Sequence, residues 1–512
     1  MAVKLIMLIV FFTIMVGVGF YCRRHATDVN GFVLGGRSVG PWLTAFAYGT
    51  TYFSAVIFVG YAGQFGWKFG ISATWIGIGN AIIGSLLAWV VLGRRTRLMT
   101  HHFDSATMPE FFGKRFNSKT LKIIASLIVF IFLIPYTASL YNGLSRLFGM
   151  AFSIDYTVCI VLMAVLTGVY VIAGGYMATA INDFIQGIIM IIGIVAVIFA
   201  VLKTNGGFLN SLSELSKVSD EAVSSNPGVF ASFFGPDPLN LLGVIILTSL
   251  GTWGLPQMVQ KFYAIKSEGA IKKGAIISTV FAIIIAGGCY FMGGFGRIFT
   301  TDEIVKANGF DSIIPTMLSN YSPFLIGLIV ILVLSASMST LSSLVMASSS
   351  TLTLDFIKPL FAQDMKEKKQ LLSIRLLIVL FILISVVIAV FQYKANVTFI
   401  AQLMGISWGA LAGSFLAPFL LSLYWKGATK AGVFACFGFG SIVMILNLLF
   451  RSSFPAILAS PINCGAFAML AGFIIVPAVS LFTKAPDKEL IDDAFACYDT
   501  RVVVTAKHDL GE

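Results

Sequence analysis

Thirteen long apolar stretches dominate this 512-residue chain. The hydrocarbon core of a bilayer requires about 20 apolar residues in a crossing helix, and the stretches are of roughly that length or longer. Mean hydropathy is +0.93, and only 11% of the residues are charged. These values exclude a water-soluble fold and predict an all-α polytopic membrane protein. The predicted spans lie at about 4–22, 42–66, 71–92, 123–149, 156–173, 181–202, 238–256, 274–296, 322–353, 371–392, 397–424, 431–450 and 461–483.

The net charge of +11 follows the predicted membrane topology and does not indicate a nucleic-acid partner. Most lysines and arginines fall in alternate loops, among them Arg23, Arg24 and Lys261. The positive-inside rule then places the N-terminus outside and, with an odd number of spans, the C-terminus inside. Because Arg23 and Arg24 follow the first apolar stretch instead of preceding it, this stretch is predicted to stay in the protein as a membrane span.

The positions of histidine and cysteine argue against an enzyme. All four histidines lie in predicted loops or the tail, and the six cysteines have no CxxC spacing. An intramembrane protease needs a Ser–His pair or two aspartates at membrane depth, whereas this chain offers one aspartate and no histidine there. We therefore expect no catalytic site.

The ninth span is rich in hydroxyl groups. Its sequence LVLSASMSTLSSLVMASSST carries six of them between Ser335 and Ser343. Hydroxyl oxygens are hard, neutral ligands that suit small alkali cations, and they avoid placing a carboxylate in lipid. Close packing between membrane helices also favours small hydroxyl residues. The segment is therefore either an ion site or a tightly packed helix.

The second and seventh spans are interrupted by residues that break helices. Gly49 precedes Thr50, Thr51 and Ser54 in the second, and the seventh contains 251-GTWGLP-256. Broken helices expose backbone groups that lipid does not tolerate unless they line a cavity or a ligand. Interrupted spans in corresponding halves indicate the binding site of a secondary transporter. Glycine and proline are also common in ordinary membrane helices.

Six motifs occur in order between about Gly17 and Lys484, and together they resemble the solute:sodium symporter family. This family includes bacterial sodium/proline, sodium/pantothenate and sodium/sugar symporters. The third motif departs from the family pattern, because Tyr176 stands where Leu, Met or Phe is usual. The motifs are FVLGGRSVGPWLTAFA, TMPEFFGKRF, IAGGYMATAINDFIQG, PQMVQKF, SMSTLSS and SWGALAGSFLAPFL.

The resemblance implies a LeuT-like fold of two inverted five-helix repeats, with one extra helix in front and two behind. Residues 1–483 would form the transmembrane domain, with core repeats at about 42–202 and 238–424, and residues 484–512 would form a short cytoplasmic tail. The implied activity is sodium-coupled uptake of a small organic solute across the bacterial cell membrane by alternating access. Sodium would be the coupling ion, and the small-molecule substrate and the lipid bilayer would be the partners.

The resemblance also implies a sodium site between the broken second span and the ninth span. Carried over by position, the ligands would be the carbonyl groups of Thr50, Phe53 and Ala336 and the hydroxyl groups of Ser339 and Thr340. The reading from the residues agrees, since Thr50 and Phe53 flank the predicted break.

Asp183 is a carboxylate near the hydrocarbon core that no basic neighbour in the sequence explains. It could cap the N-terminus of the sixth span. Alternatively it anchors or relays sodium, because carboxylates within spans are costly and usually functional. Some family members use this aspartate with two serines as a second sodium site. The corresponding residues here are Ser342 and Ser343, together with Ser339.

The substrate is expected near the midplane, beside the breaks in the second and seventh spans. Tyr136 matches an aromatic residue that gates or contacts substrate in related members. For each candidate substrate residue, packing or anchoring at the membrane interface explains the side chain equally well. The candidate substrate residues are Tyr136, Thr252, Trp253, Pro256, Gln257 and Gln402.

Two substitutions bear on the substrate. Sodium/proline members carry an Asp where this chain has Tyr52, and sugar members carry a Gln where it has Ile57. An amino acid or a monocarboxylate is therefore favoured over a polyol, although proline itself is less certain. The alternatives are an ion channel and a transporter-like sensor. A selective channel usually repeats a filter sequence around a symmetric pore, and no such repeat occurs in the sequence.

Overall fold

A computed structural model gives the fold of residues 2–152, 155–221, 223–224, 226–395 and 400–499. The described elements are helical apart from two isolated β-bridges. The first half contains α1 Ala2–Tyr21, α2 Val29–Leu34, α3 Pro41–Tyr52, α4 Ala62–Phe69, α5 Thr74–Gly79, α6 Arg94–His102, α7 Met108–Arg115, α8 Lys119–Phe152, α9 Tyr156–Thr204, α10 Phe208–Lys217, α11 Pro238–Leu250 and α12 Pro256–Ala264.

The second half continues in the same way. It contains α13 Glu268–Ala282, α14 Gly288–Gly293, α15 Gly296–Phe299, α16 Asp302–Asn308, α17 Ile313–Leu318, α18 Pro323–Thr351, α19 Lys358–Phe361, α20 Glu367–Ala395, α21 Ile400–Tyr424, α22 Lys430–Leu449, α23 Pro461–Leu481 and α24 Lys488–Ala496.

Short 3-10 and π-helical segments join or extend these helices. The 3-10 segments are Cys22–His25, Gly35–Arg37, Gly70–Ala73, Val229–Ala231, Gly251–Gly254, Phe310–Ser312 and Arg451–Ser453. The π-helical segments are Val56–Tyr61, Asn80–Leu87, Trp89–Gly93, Ile283–Gly287 and Leu352–Ile357.

Among the described residues, ten helical runs are long and apolar enough to cross a membrane, and counting the bent pair Pro238–Gly254 and Pro256–Ala264 gives eleven. The all-α membrane class is therefore confirmed, while the count of thirteen spans and the orientation stay predictions. Two runs each contain parts of two predicted spans. The first bends at Gly70 and the second at Gly175, and both glycines have φ near +60°.

The centre of the molecule is formed by α18 and α21, which are mostly buried, whereas α1 and α20 are largely exposed at the periphery. Helix α18 packs mainly on α9 and α8, and α21 packs on α23, α22 and α8. The interrupted α3 lies against α13, α9 and α18. This arrangement places the break after α3 beside the hydroxyl-rich helix.

Part of the predicted tail packs on the helical domain. Helix α24 packs near α6 and α7, where the Tyr498 hydroxyl donates to the carbonyl of Leu423 at 3.1 Å. The guanidinium of buried Arg115 stacks over the ring of Phe495 at 5.2 Å. Residues 484–499 are therefore attached to the helical domain.

Candidate functional site

Helix α3 stops in the middle of the protein. It ends at Tyr52, and Phe53 leaves the helical conformation with φ −101° and ψ 88°. The Ser54 hydroxyl then accepts the Val56 N–H at 3.2 Å, and helical geometry resumes. Such a break turns backbone carbonyl groups away from the helix axis and frees them for other partners. The interruption predicted for the second span is confirmed.

Four of the five predicted sodium ligands meet at this break. The Ser339 hydroxyl donates to the carbonyl of Thr50 at 3.0 Å and to that of Ala336 at 3.2 Å. The Thr340 hydroxyl donates to the carbonyl groups of Thr50 at 3.2 Å, Thr51 at 3.2 Å and Ala336 at 3.0 Å. We call Thr50, Thr51, Ala336, Ser339 and Thr340 the hydroxyl cluster. It joins α3 to α18.

The hydroxyl cluster is fully enclosed. All five of its residues have at most 1% of their surface exposed. Phe53, the remaining predicted ligand, follows at the break, where its ring stacks on Tyr52 at 4.2 Å. The cluster combines neutral hydroxyl and carbonyl oxygens, the kind of hard ligand set that alkali cations accept.

Asp183 does not cap a helix. Helix α9 is capped by Asp155, and Asp183 lies well inside it, beyond the bend at Gly175. Neither Asp183 carboxylate oxygen accepts a hydrogen bond from the described part of the chain. The capping interpretation is therefore wrong, since the amides around Asp183 are already used within the helix.

The buried ammonium group of Lys261 lies next to Asp183. Its Nζ is 4.0 Å from Asp183 Oδ2 and donates to the Ser343 hydroxyl at 2.9 Å. The sequence predicts a loop at Lys261, but the residue lies in α12 with 2% of its surface exposed. It also lies over the ring of Tyr176 at 5.2 Å. The basic neighbour of Asp183 thus comes from a distant part of the chain.

Ser342 and Ser343, the two serines predicted to share a sodium ion with Asp183, have different hydrogen-bond partners. The Ser342 hydroxyl donates to the carbonyl of Ser339 at 2.8 Å, within its own helix. The Ser343 hydroxyl lies 2.9 Å from that of Thr51. Ser343 therefore connects the Lys261 ammonium to the hydroxyl cluster.

The seventh span is broken as predicted. Helix α11 and α12 are bent by 47° relative to one another, with the 3-10 segment Gly251–Gly254 and extended Leu255 between them. The Trp253 indole donates to the carbonyl of Ile83 at 3.0 Å, and the Thr252 hydroxyl donates to that of Ser249 at 2.9 Å.

Pro256 and Gln257 begin α12 directly after this break. Both are buried, and the Gln257 side-chain oxygen has no hydrogen-bond partner among the described residues. Four of the six substrate candidates, Thr252, Trp253, Pro256 and Gln257, therefore lie together.

Tyr136 faces Trp408, an aromatic residue that is not among the predicted substrate residues. The Tyr136 ring packs edge-on against Trp408 at 5.9 Å, and Trp408 also lies 6.1 Å from Tyr52. The Tyr136 hydroxyl and the Trp408 indole nitrogen are buried without a partner in the described residues. The motif SWGALAGSF contained the signal, since its tryptophan falls in a deeply buried helix.

Gln402 lies elsewhere. It lines a cavity of about 950 Å³ whose polar residues include Gln64, Lys68, Asp237 and Arg451. Gln402 lies at the start of α21. Trp408 lies further along α21 and packs near Gly251, away from this cavity.

A family model for the sodium:solute symporter family matches residues 32–440. The chain belongs to the sodium:solute symporter family. As a member of this family it is a multi-pass protein of the bacterial cell membrane and performs sodium-coupled solute symport. It is a secondary transporter and not an enzyme. The resemblance inferred from the six motifs is confirmed.

Similar proteins agree with this assignment. Sodium/proline symporter 2 of Staphylococcus saprophyticus is 30% identical over 503 residues, covering 95% of this chain and 94% of the relative. The sodium/proline symporter of Staphylococcus aureus strain JH9 is 32% identical over 496 residues, covering 94% and 93%.

Solved structures share the fold. A Na⁺-coupled sialic acid symporter in a substrate-bound outward-open state has a TM-score of 0.73 at 18% identity, covering 95% of this chain and 99% of that one. A nucleobase-cation-symport-1 family transporter in a closed conformation has a TM-score of 0.53 at 13% identity, covering 90% and 97%. These neighbours are LeuT-like cation symporters, so the coarse fold prediction is confirmed.

Proposed function

We propose that this symporter binds its coupling sodium ion at the hydroxyl cluster and Phe53. The observation that carries the proposal is the convergence of the Ser339 and Thr340 hydroxyls on the carbonyl groups of Thr50 and Ala336. Sodium would lie among these oxygens, and each hydroxyl would keep its proton and turn it away from the ion. The Phe53 carbonyl, freed by the helix break, would complete the set.

The ion would join two parts of the fold that move relative to one another. Thr50 belongs to the broken α3, whereas Ser339 and Thr340 belong to the continuous α18. An ion bridging them stabilises the arrangement in which both contribute oxygens. If the same arrangement favours the solute, ion and solute raise each other's affinity by an equal factor.

The breaks after α3 and after α11 support a pair of inverted five-helix repeats. They would lie at about 42–202 and 238–424, within thirteen spans, with the N-terminus outside and a cytoplasmic C-terminal tail. The cavity lined by Gln64, Lys68 and Gln402 would then open to the outside. On the opposite face, Arg37 pairs with Asp104 at 3.1 Å, and Lys122 pairs with Asp355 at 3.1 Å. Those pairs would close the cytoplasmic side.

The solute would lie between the break in the seventh span and the aromatic pair Tyr136–Trp408. Unpartnered polar atoms at Tyr136, Trp408 and Gln257 offer hydrogen bonds, while the rings cover an apolar body. A small amino acid or monocarboxylate fits this chemistry. The relatives named sodium/proline symporter support a proline-like zwitterion. Tyr52 uses its hydroxyl to donate to the Thr248 carbonyl at 2.5 Å, so it does not supply the carboxylate found there in proline carriers.

Uptake by proteoliposomes tests this proposal. Purified protein would be supplied with labelled L-proline, other amino acids, lactate, pantothenate or glucose, with an inward sodium gradient or with potassium in its place. We expect gradient-driven accumulation of a small amino acid or a monocarboxylate. Exclusive uptake of glucose or pantothenate would contradict the proposed substrate class, and equal uptake in potassium would contradict the ion site.

A further inference from the structure

Lys261 places its side-chain nitrogen where the resemblance implies a second sodium ion. Its Nζ lies 4.0 Å from Asp183 Oδ2 and 2.9 Å from Ser343 Oγ, two of the residues assigned to that ion. Lys261 and Asp183 are both essentially inaccessible to solvent. Asp183 is the carboxylate that pairs with Lys261 within the described residues.

Two cations cannot share this carboxylate comfortably. The elements packed around Lys261 supply Asp183 and the ring of Tyr176 from α9, Ser343 from α18 and, through Ser343, Thr51 from α3. A sodium ion bound to Asp183 and Ser343 would lie within a few ångströms of the ammonium group. Repulsion at that distance inside a protein is strong, and a single negative charge cannot offset two positive ones.

We propose that the ammonium group of Lys261 is a tethered cation that fills the second position, so that this chain binds one sodium ion, at the hydroxyl cluster. The inference rests on the proposed function, since it concerns the partner of that sodium site. It replaces the second sodium ion implied by the resemblance with a side chain of the protein itself.

The position of Lys261 on α12 couples movement of this helix to the second cation position. The residue lies on α12, the half-helix that follows the break in the seventh span and begins with substrate candidates Pro256 and Gln257. Movement of α12 away from α9 and α18 would withdraw the cation from Asp183 and Ser343. The contact of Ser343 with Thr51 would transmit this change to the hydroxyl cluster. Solute binding at the break is thereby linked to the ion site.

Equilibrium binding of radioactive sodium to the purified full-length protein tests the proposal without any knowledge of the solute. We expect one ion per wild-type protein. Lys261→Met removes the charge while keeping most of the side-chain volume, and it should bind two ions, the second one lost again in Lys261→Met combined with Asp183→Asn. Lys261→Arg should bind one ion. The matched control is Lys266→Met, since Lys266 is an exposed lysine five residues further on.

Each outcome decides the question. Two ions per wild-type protein would overturn the tethered cation, and so would a well-folded Lys261→Met protein that binds one. If Lys261→Met fails to fold, the wild-type count remains decisive. The proposed function fails separately, if the Ser339→Ala and Thr340→Ala proteins bind sodium as tightly as the wild-type protein does.

Discussion

The hydroxyl oxygens of Thr51 and Ser343 lie 2.9 Å apart, on helices α3 and α18. Thr51 also accepts the Thr340 hydroxyl on its carbonyl group at 3.2 Å, while Ser343 accepts the Lys261 ammonium. One residue pair thus connects the hydroxyl cluster to the Asp183–Lys261 pair. Changes at either group are expected to be felt at the other, because contacting residues rarely contribute independently.

Removing a cluster hydroxyl should weaken sodium binding. Ser339→Ala and Thr340→Ala each delete one proposed ligand, and a loss of about 1.4 kcal/mol raises the half-saturating sodium concentration about tenfold. Sodium-dependent uptake in proteoliposomes measures this change. Ser350→Ala is the control, because the Ser350 hydroxyl donates to the Met346 carbonyl within α18 at 2.7 Å and lies outside the cluster. Equal sodium dependence in all three variants would remove the cluster from the ion site.

Breaking the Asp183–Lys261 pair should destabilise the protein. Asp183→Asn leaves a buried ammonium and Lys261→Met leaves a buried carboxylate, and an uncompensated buried charge costs about 3 kcal/mol or more. Thermal unfolding in sodium-free detergent solution should show a lower midpoint for each single variant. The double variant should recover much of the loss, since neither charge remains. Additive losses in the double variant would show that the two charges do not interact.

Tyr136→Phe should weaken solute binding without lowering the stability of the protein. The Tyr136 hydroxyl is buried and has no partner in the described residues, so its removal breaks no bond to the protein. We expect a KM for the solute raised about fivefold or more, as a lost hydrogen bond of about 1 kcal/mol predicts, with an unchanged melting temperature. Trp253→Phe is a contrast, since its indole is bonded to Ile83 and its loss should lower the melting temperature as well.

The solute should shield the break in the seventh span. Single cysteines at Thr252 and Trp253, in a background lacking the six native cysteines, are expected to react more slowly with a thiol reagent when sodium and solute are both present. A cysteine at Ser453, in the segment between α22 and α23, is the control, because that side chain is exposed and lies outside the proposed repeats. Identical rates at Thr252 with and without a transported solute would move the solute site elsewhere.

Gly175→Ala should disturb the helix that carries Asp183. Gly175 has φ 57° and ψ −148°, a conformation nearly restricted to glycine, and an added Cβ would lie 2.8 Å from the carbonyl oxygen of Phe32. Such strain costs of order 1–3 kcal/mol, which should lower the melting temperature and impair uptake. Gly17→Ala, at a helical glycine with no neighbour near the added atom, should cause neither change. A stable, fully active Gly175→Ala protein would show that the bend is dispensable.

The sequence placed four residues of the hydroxyl cluster together, all except Thr51, because the pattern behind that prediction is local. Ser339 and Thr340 are adjacent on one helix. Gly49 and Thr50 predict the helix break that lies opposite them. Lys261 was missed for a physical reason. A lysine at the end of an apolar stretch normally extends into a loop, whereas the packing of α12 against α3 and α18 encloses this one.

Helix boundaries show the same limit. Asp183 was expected near the start of a span, whereas the structure continues α9 through Gly175 and carries Asp183 well past the bend. Trp408 lay in a recognised motif, but nothing in the sequence paired it with Tyr136, which is distant along the chain. Contacts between remote segments are therefore what the structure adds.

The hydroxyls of Ser339 and Thr340 bond to the same carbonyl groups that would hold the ion. Entry of sodium therefore exchanges one set of favourable contacts for another, and after sodium leaves, the carbonyl groups of Thr50 and Ala336 again accept hydrogen bonds from these hydroxyls. The net affinity is kept modest by this exchange. A carrier must release its ion on every cycle, so rapid release into a sodium-poor compartment matters more than tight binding. The hydroxyl cluster favours this release because its own hydroxyl and carbonyl groups bond to one another once the ion has left.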